Sequence, residues 1–561
     1  MSSDRSGRPP SGGRSPTYQD YLDADSKPVP GFLREQSAPD LGNAPLAAAR
    51  YTSQAFFDLE VARMWPRVWQ MACREEEIAT PGDTCVYDIV GKSFLVTRDD
   101  EGRVRAYYNS CLHRGRKLMT ADGHAEAFRC PFHAFTWNLD GSLRNAPLSA
   151  ARYTSQSFFD LEVARVWPRV WQMACREEEI AAPGDTCVYD IVGKSFLVTR
   201  DADGRVRAYY NSCLHRGRKL MTADGHAESY RCPFHGFTWN LDGSLRNAPC
   251  RHDFAHVTDG DWRLPEARTA TWGGFVFINM DPDAPPLEEY LEVLPEHFAR
   301  WRLEDCWKSA HVAKVIDCNW KVAQEAFMES FHVIATHPQI LDVIADSNSQ
   351  YDLYGDHVNR NLTAFAAPSP HRGQGRVSER TTLEGMLSLM SRRGDADELI
   401  AKAGTSKPRA VLGGLNRRSF ERAWGGDWSN VTDAETLDAM VYNVFPNFSP
   451  WGGFAPNIVY RWRPNGLDVG SCVMEVMILK RVPEGQSRPK PVPVHWLSSE
   501  ETWSQAAELP VLGPVIDQDM DNMPFVQQGL LASGTGKVHL AHYQESRIRH
   551  FHRTLDKYLA R

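Results

Sequence analysis

Apolar positions along the second quarter of the chain recur first at helical and then at strand spacing. Ser155 to Trp167 places Phe158, Leu161, Val163 and Val166 on one side of a helix, and Pro168 stops it. Cys187–Ile191 and Ser195–Thr199 read as strands, and Asp203-Gly204 turns the chain into a third, Arg205–Asn211, rich in β-branched and aromatic residues. Further on, Trp272 to Asn279 reads as one strong strand, and Asp281 to Pro286 as a turn-rich break. Leu287 to Trp301 is an amphipathic helix, and His311–Asp317 is another strand. Residues 340–440, with many Gly, Arg and Asp, predict irregular structure. Val441–Phe445, Asn457–Arg463 and Cys472–Arg481 look like antiparallel strands. Tyr543 to Leu559 predicts a closing helix with Ile548, Phe551, Leu555 and Leu559 on one face. The fold class is therefore α+β, with a mostly β part before a mixed one.

The β part is written twice. Residues 51–148 and 153–250 match at a constant offset of 102, with nine differences. That period is far too long for a solenoid repeat, so a whole domain is duplicated. Removing one copy leaves 459 residues. The predicted domains are a tail and N-terminal segment at 1–46, the two copies at 47–148 and 149–250, and a third domain at 251–561.

Composition narrows the function. A formal net charge of −8 with no basic stripe argues against nucleic-acid binding. No apolar run approaches the roughly eighteen residues of a membrane span. Met1 to Pro16, rich in Ser, Gly, Arg and Pro, has no apolar core of a secretory signal and reads as a disordered tail. The twelve cysteines show no disulfide-framework spacing, so a reducing cytoplasm is expected.

The chemistry lies in three stretches. In the second copy, Cys213-Leu214-His215 is followed after sixteen residues by Cys232-Pro233-Phe234-His235. Two thiolates and two imidazoles in this order suit a Rieske [2Fe–2S] centre, whose cysteines hold one iron and whose histidines hold the other. A Cys₂His₂ zinc site is the competing reading. The first copy has the same quartet, Cys111, His113, Cys130 and His133, but Ala134 stands where the second copy has Gly236. If the backbone there needs positive φ, alanine is strained by about 1 kcal/mol. The second copy, which runs directly into the third domain, is therefore expected to be the working centre. Downstream, Glu329, His332 and His337 precede Pro338. Glu329 and His332 would share a helix face, and the helix should end or unwind at His337 so that both imidazoles reach one metal. Two histidines plus one carboxylate make the facial set of non-haem Fe(II). The plain alternative is an amphipathic helix with ordinary histidines. Candidates for the carboxylate lie in Asp517-Gln518-Asp519-Met520-Asp521.

With these motifs, and with Asn319-Trp320-Lys321 leading into the histidine stretch, the chain from about residue 45 onward resembles the alpha subunits of the Rieske non-haem iron, or aromatic ring-hydroxylating, oxygenases. The resemblance implies an all-β Rieske domain, here present twice, and a helix-grip catalytic domain of the START type with an antiparallel sheet. It implies one or two Rieske clusters per chain and a mononuclear Fe(II) on His332, His337 and Asp519, with Asp517 and Asp521 as fallbacks. Glu329 would bridge His332 to His235 of a neighbouring subunit. Ala326 departs from the family's usual Asn. The implied oxidoreductase takes electrons from NAD(P)H through a ferredoxin or flavin reductase, and hydroxylates or dihydroxylates an aromatic or other hydrophobic substrate with O₂. A homotrimer, with or without a small beta subunit, would be the working unit. A Rieske monooxygenase or demethylase is the alternative within the family. A silent electron-transfer protein and a non-functional duplication product stand outside it.

Overall fold

The computed structural model describes residues 17–35, 46–110, 117–129, 136–141, 143–145, 148–258, 260–373, 375–392, 394–455, 457–541 and 543–560. The expected tail at Met1 to Pro16 lies outside them. The chain forms two compact units: one of Met1–Ala72 with Asp88–Lys92, the other of Cys73–Tyr87 with Ser93–Arg561. In the smaller, Ser53 caps the helix Gln54–Arg63 by accepting a hydrogen bond from the Phe56 amide.

In the larger unit, the second repeat builds a seven-stranded sheet. Its order is Gly225–His226, Asp185–Ile191, Lys194–Arg200, Val206–Tyr210, Glu266–Trp272, Phe275–Asn279 and Gln172–Arg176. The predicted helix (Gln156–Arg165) and strands of this repeat are present. The repeat ends in sequence at Cys250, but its sheet continues to Asn279. The single strand predicted from Trp272 to Asn279 is instead the second half of a hairpin. Gly273 and Gly274, at φ +60° and +77°, turn the chain between Glu266–Trp272 and Phe275–Asn279. A smaller sheet of Tyr230–Arg231, Thr238–Trp239 and Leu245–Asn247 carries the second cluster loop, 232–236, while the first, 213–217, follows Val206–Tyr210 of the larger sheet.

The first repeat begins the same way. Lys92–Arg98 pairs with Val104–Tyr108, and Asp83–Ile89 with Gly123–His124. There is one hairpin 266–279 in the chain, however, and Val206–Tyr210 of the second copy holds it. Val104–Tyr108 is the outer strand of its sheet, with Val104 and Tyr108 exposed. The same residue types meet opposite surroundings further upstream. Tyr153 is 2% exposed where Tyr51 is 76% exposed, and Trp171 is 3% exposed where Trp69 is fully exposed.

The second copy buries these residues because it has partners. Lys321 donates to Glu162 at 2.6 Å, and the Trp320 indole donates to the same carboxylate at 3.1 Å, with all three side chains buried. Trp167 packs edge-on against Trp320. Arg461 donates to the carbonyls of Met173 and Ala174 at 2.8 Å each and pairs with Glu475. Burial pushes the Glu475 carboxyl up, but Arg461 and Arg463 beside it hold it well below the usual carboxylate range.

The catalytic part is an eight-stranded sheet in the order Gln350–Tyr354, Val358–Thr363, Ala439–Val444, Phe448–Pro450, Asn457–Asn465, Asp468–Arg481, Cys306–Ile316 and His495–Leu497. Every pairing is antiparallel except the last. The closing helix, Ser546–Ala560, buries Ile548, Phe551, Leu555 and Tyr558 in the shared core. The α+β architecture is thus present. Two details differ from the sequence reading. Leu287 to Trp301 is split into Leu287–Leu291 and Leu294–Phe298. Residues 340–440, expected to be irregular, hold the strands Gln350–Tyr354 and Val358–Thr363 and the helices Glu379–Leu389, Ala396–Ala403 and Pro408–Trp424. These helices pack around Leu383, Met386, Val411 and Leu412.

Candidate metal centres and the cavity between their walls

Asn319 caps the helix Trp320–Glu325, its side chain accepting from the Lys321 amide. The helix then stops. The chain turns through residues 326–331 and resumes as one short turn, Val333–Thr336, with His332 and His337 at its two ends. Glu329 and His332 therefore do not share a regular helix, as the sequence suggested, but their i,i+3 contact is made. His332 Nδ1–H donates to Glu329 Oε1 at 2.8 Å, and the His332 amide donates to Oε2 at 3.0 Å. His337 leaves helical geometry at φ −124°, ψ 51°, as the following proline requires.

The carboxylate comes from the helix Gly513–Met520. Asp519 Oδ1 lies 3.1 Å from His337 Nε2 and 3.6 Å from His332 Nε2. One ligand atom from each of His332, His337 and Asp519 falls within 4.8 Å of the others. The fallbacks lie elsewhere: Asp517 accepts from the Trp503 and Ser504 amides, and Asp521 is exposed. Gln518 carries a role with no sequence signal. Its Oε1 accepts from His337 Nδ1–H at 2.8 Å and from Gln339 Nε2 at 2.7 Å. Each imidazole thus has its Nδ1–H held from behind and its Nε2 turned to the common point, which is the arrangement a metal-ligating histidine needs. Burial opposes charge on His332, but the hydrogen bond and charge of Glu329, with Asp519, hold its imidazole above the ordinary range.

The second site is built from two loops of one design. Gly217 donates to the Cys213 carbonyl at 2.8 Å and Gly236 to the Cys232 carbonyl at 2.9 Å, both glycines at positive φ (+75° and +80°). The loops bring the His215 and His235 ring centroids to 4.7 Å. Cys213 and Cys232 are buried with their thiols in contact, and burial pushes the Cys213 thiol up. His215 Nδ1 is buried without a hydrogen-bond partner, an orphan that a metal bond would satisfy. His235 is exposed, and Phe234 beside it lies under the Arg216 guanidinium. The donor set fits a Rieske cluster. The first copy's quartet (Cys111, His113, Cys130, His133) and Ala134 lie outside the described residues.

A cavity of about 370 Å³ opens from the His332–His337–Asp519 triad. Its walls are mainly apolar, with Val333, Ile340, Phe365, Trp451, Leu509 and Ile516 among them. Ala326 lines it too, so no polar side chain reaches the cavity from that position.

Comparison with known proteins gives two matches to family models. A model of the ring-hydroxylating alpha subunit catalytic domain matches residues 294–561, and the Rieske [2Fe–2S] domain model matches 68–161 and 170–260. The chain belongs to the Rieske oxygenase alpha subunits. Its relatives include the carnitine monooxygenase oxygenase subunit of Escherichia coli (strain K12), 31% identical over 40% of this chain and 60% of the relative. The chlorobenzene dioxygenase alpha subunit of Cupriavidus sp. (strain PS12) is 32% identical over 34% of this chain and 44% of the relative. Among solved structures, a quaternary ammonium Rieske monooxygenase matches 73% of this chain and 95% of its own at 18% identity and TM-score 0.53. A naphthalene 1,2-dioxygenase matches 74% and 92% at 17% identity and TM-score 0.52. These structures share the fold of this Rieske oxygenase. Its domains imply a Rieske cluster and a mononuclear iron. No helix among the described residues is long and apolar enough to cross a membrane.

Proposed function

We propose that this Rieske oxygenase is the terminal component of a system that takes electrons from NAD(P)H through a ferredoxin or flavin reductase and uses O₂ to hydroxylate a small hydrophobic substrate. The carrying observation is the triad of His332, His337 and Asp519 lining a mainly apolar cavity. When bound, the iron at this triad supplies the site of oxygen activation, and the Rieske cluster supplies single electrons. The residues set the conditions. Glu329 and Gln518 fix the tautomers of the two histidines. Asp519 supplies one negative charge. The apolar walls exclude water and hold substrate beside the triad.

In this reading the cluster rests on Cys213, His215, Cys232 and His235, the copy integrated with the catalytic domain. The exposed His235 is free to meet a neighbouring subunit, where Glu329 would join it to His332. That arrangement requires a trimer. A trimer with or without a small beta subunit, in the cytoplasm, completes the reading.

The test is metal and sulfide content of anaerobically purified protein, followed by ¹⁸O₂ turnover with a reductase. One loaded cluster gives about three irons and two sulfides per chain, and two give about five and four. Zinc without sulfide would sink the proposal. Relatives of both kinds, a monooxygenase and a dioxygenase, leave open whether one or both oxygen atoms enter the product, and the isotope count separates the two.

A further inference from the structure

Besides the metal triad, the cavity wall carries polar groups at Ser330, Asn361 and Thr363, with Glu508, Tyr460 and Trp451, whose indole N–H is buried without a partner, also lining it. Ser330, Asn361 and Thr363 line the cavity together, and all three are buried. Their hydrogen bonds close a ring. Asn361 Nδ2–H donates to Ser330 Oγ at 2.9 Å, Ser330 Oγ–H to Thr363 Oγ1 at 2.8 Å, and Thr363 Oγ1–H to Asn361 Oδ1 at 2.8 Å. Ser349 Oγ lies 2.6 Å from Thr363 Oγ1 and 2.7 Å from the Asp346 carbonyl, and its one proton serves one of the two. The hydroxyl protons of Ser330 and Thr363 are committed in this ring. A primary amide has two N–H donors, and Asn361 commits one.

That leaves the second Asn361 N–H, on a buried residue fixed in place by a closed ring and lining a mainly apolar cavity. Buried donors in folded proteins are nearly always satisfied. We propose that Ser330, Asn361 and Thr363 form a specificity subsite that receives an oxygen acceptor of the substrate, such as a carbonyl or a hydroxyl. The substrate is then a neutral, largely apolar molecule with one such oxygen. An anion is disfavoured, because no Lys or Arg is among the described lining residues. Of the acids there, Glu329 and Asp519 belong to the metal end, and Glu508 pairs with His495 at 3.0 Å. A carboxylate in this cavity would be buried without a counter-charge. The inference rests on the cavity being the substrate site of the proposed oxygenase.

The experiment is calorimetric binding to the metal-loaded full chain, with no turnover required. The probes are tetralin, α-tetralone, which adds one carbonyl to the same rings, and L-carnitine. The wild type should bind α-tetralone roughly tenfold more tightly than tetralin, the size of one good neutral hydrogen bond, and L-carnitine most weakly. Asn361→Leu should erase the preference while leaving tetralin affinity within about twofold. Thr363→Val, close in shape and less disruptive, should reduce the preference by freeing the amide. Equal binding of the two ring compounds by wild type overturns the subsite, as does an equal loss of both in the variants. Tighter binding of L-carnitine than of α-tetralone overturns the substrate class. Iron and sulfide content decides the oxygenase reading separately, so a metal-loaded protein without the preference overturns the subsite alone.

Discussion

Gly236 stands at φ +80° in the second cluster loop, and an added Cβ would come within 3.4 Å of the Arg231 guanidinium. Space is adequate there, so the cost of a side chain is conformational. Gly236→Ala should lower stability by about 1 kcal/mol and speed loss of acid-labile sulfide, both measurable by urea unfolding and sulfide assay. This position was legible in the sequence because the duplication shows the two residues side by side, Ala134 against Gly236. Gln518 was not legible. It is 181 positions from His337, which it orients, and it sits between Asp517 and Asp519, both ligand candidates by type. Gln518→Leu should weaken iron binding by about ten- to a hundredfold, read by iron titration, with the circular dichroism of the folded protein unchanged. The Ser330–Asn361–Thr363 ring was equally hidden, since its members come from a loop and a strand joined only by the fold.

At the scale of elements, sequence pattern succeeded where burial is one-sided and failed where glycine or tertiary packing decides. The long strands and the closing helix follow their periodicity. The helix Pro408–Trp424 contains Gly413 and Gly414 in its interior, each about 1 kcal/mol less favourable there than alanine. Packing holds it, and at Gly413 a Cβ would fall 2.0 Å from Asp433, so glycine is what permits the approach. The metal segment broke the expected helix because its two histidines must converge from either end of a single turn. Its lead-in helix ends at Glu325, whose carboxyl is largely buried. Tyr153 donates to it at 2.9 Å, and His552 lies 2.9 Å from it. Burial pushes the Glu325 pKa up to about 8. An acid with a raised folded pKa binds more protons folded than unfolded, so its contribution is complete below the unfolded value and is lost as pH rises toward about 8. Between pH about 5 and about 8 the wild type should therefore lose stability that Glu325→Gln retains, a difference visible in melting temperatures taken across that range.

At the scale of the molecule, the duplication separates what a sequence specifies from what a fold can accommodate. The two copies encode nearly the same surface, but a single hairpin 266–279, one metal helix and one closing helix are available to cover it. Sequence alone favoured the second copy as the working centre; which residues become core depends on the partners present. Trp171 is 3% exposed and its indole donates to the Pro285 carbonyl at 2.9 Å, whereas Trp69, its counterpart in the first copy, is fully exposed. Trp171→Ala should therefore cost about 3–5 kcal/mol through the cavity it leaves. Trp69→Ala should stay within about 0.5 kcal/mol. Chemical unfolding of the two variants measures both. The pair also tests whether the copies are interchangeable. If the first copy could take the second's place on the catalytic domain, the Trp171 variant would be rescued and its cost would appear only when both tryptophans are replaced. A full cost in the single Trp171 variant means that the second copy alone is the structural one, and that the first is carried without replacing it.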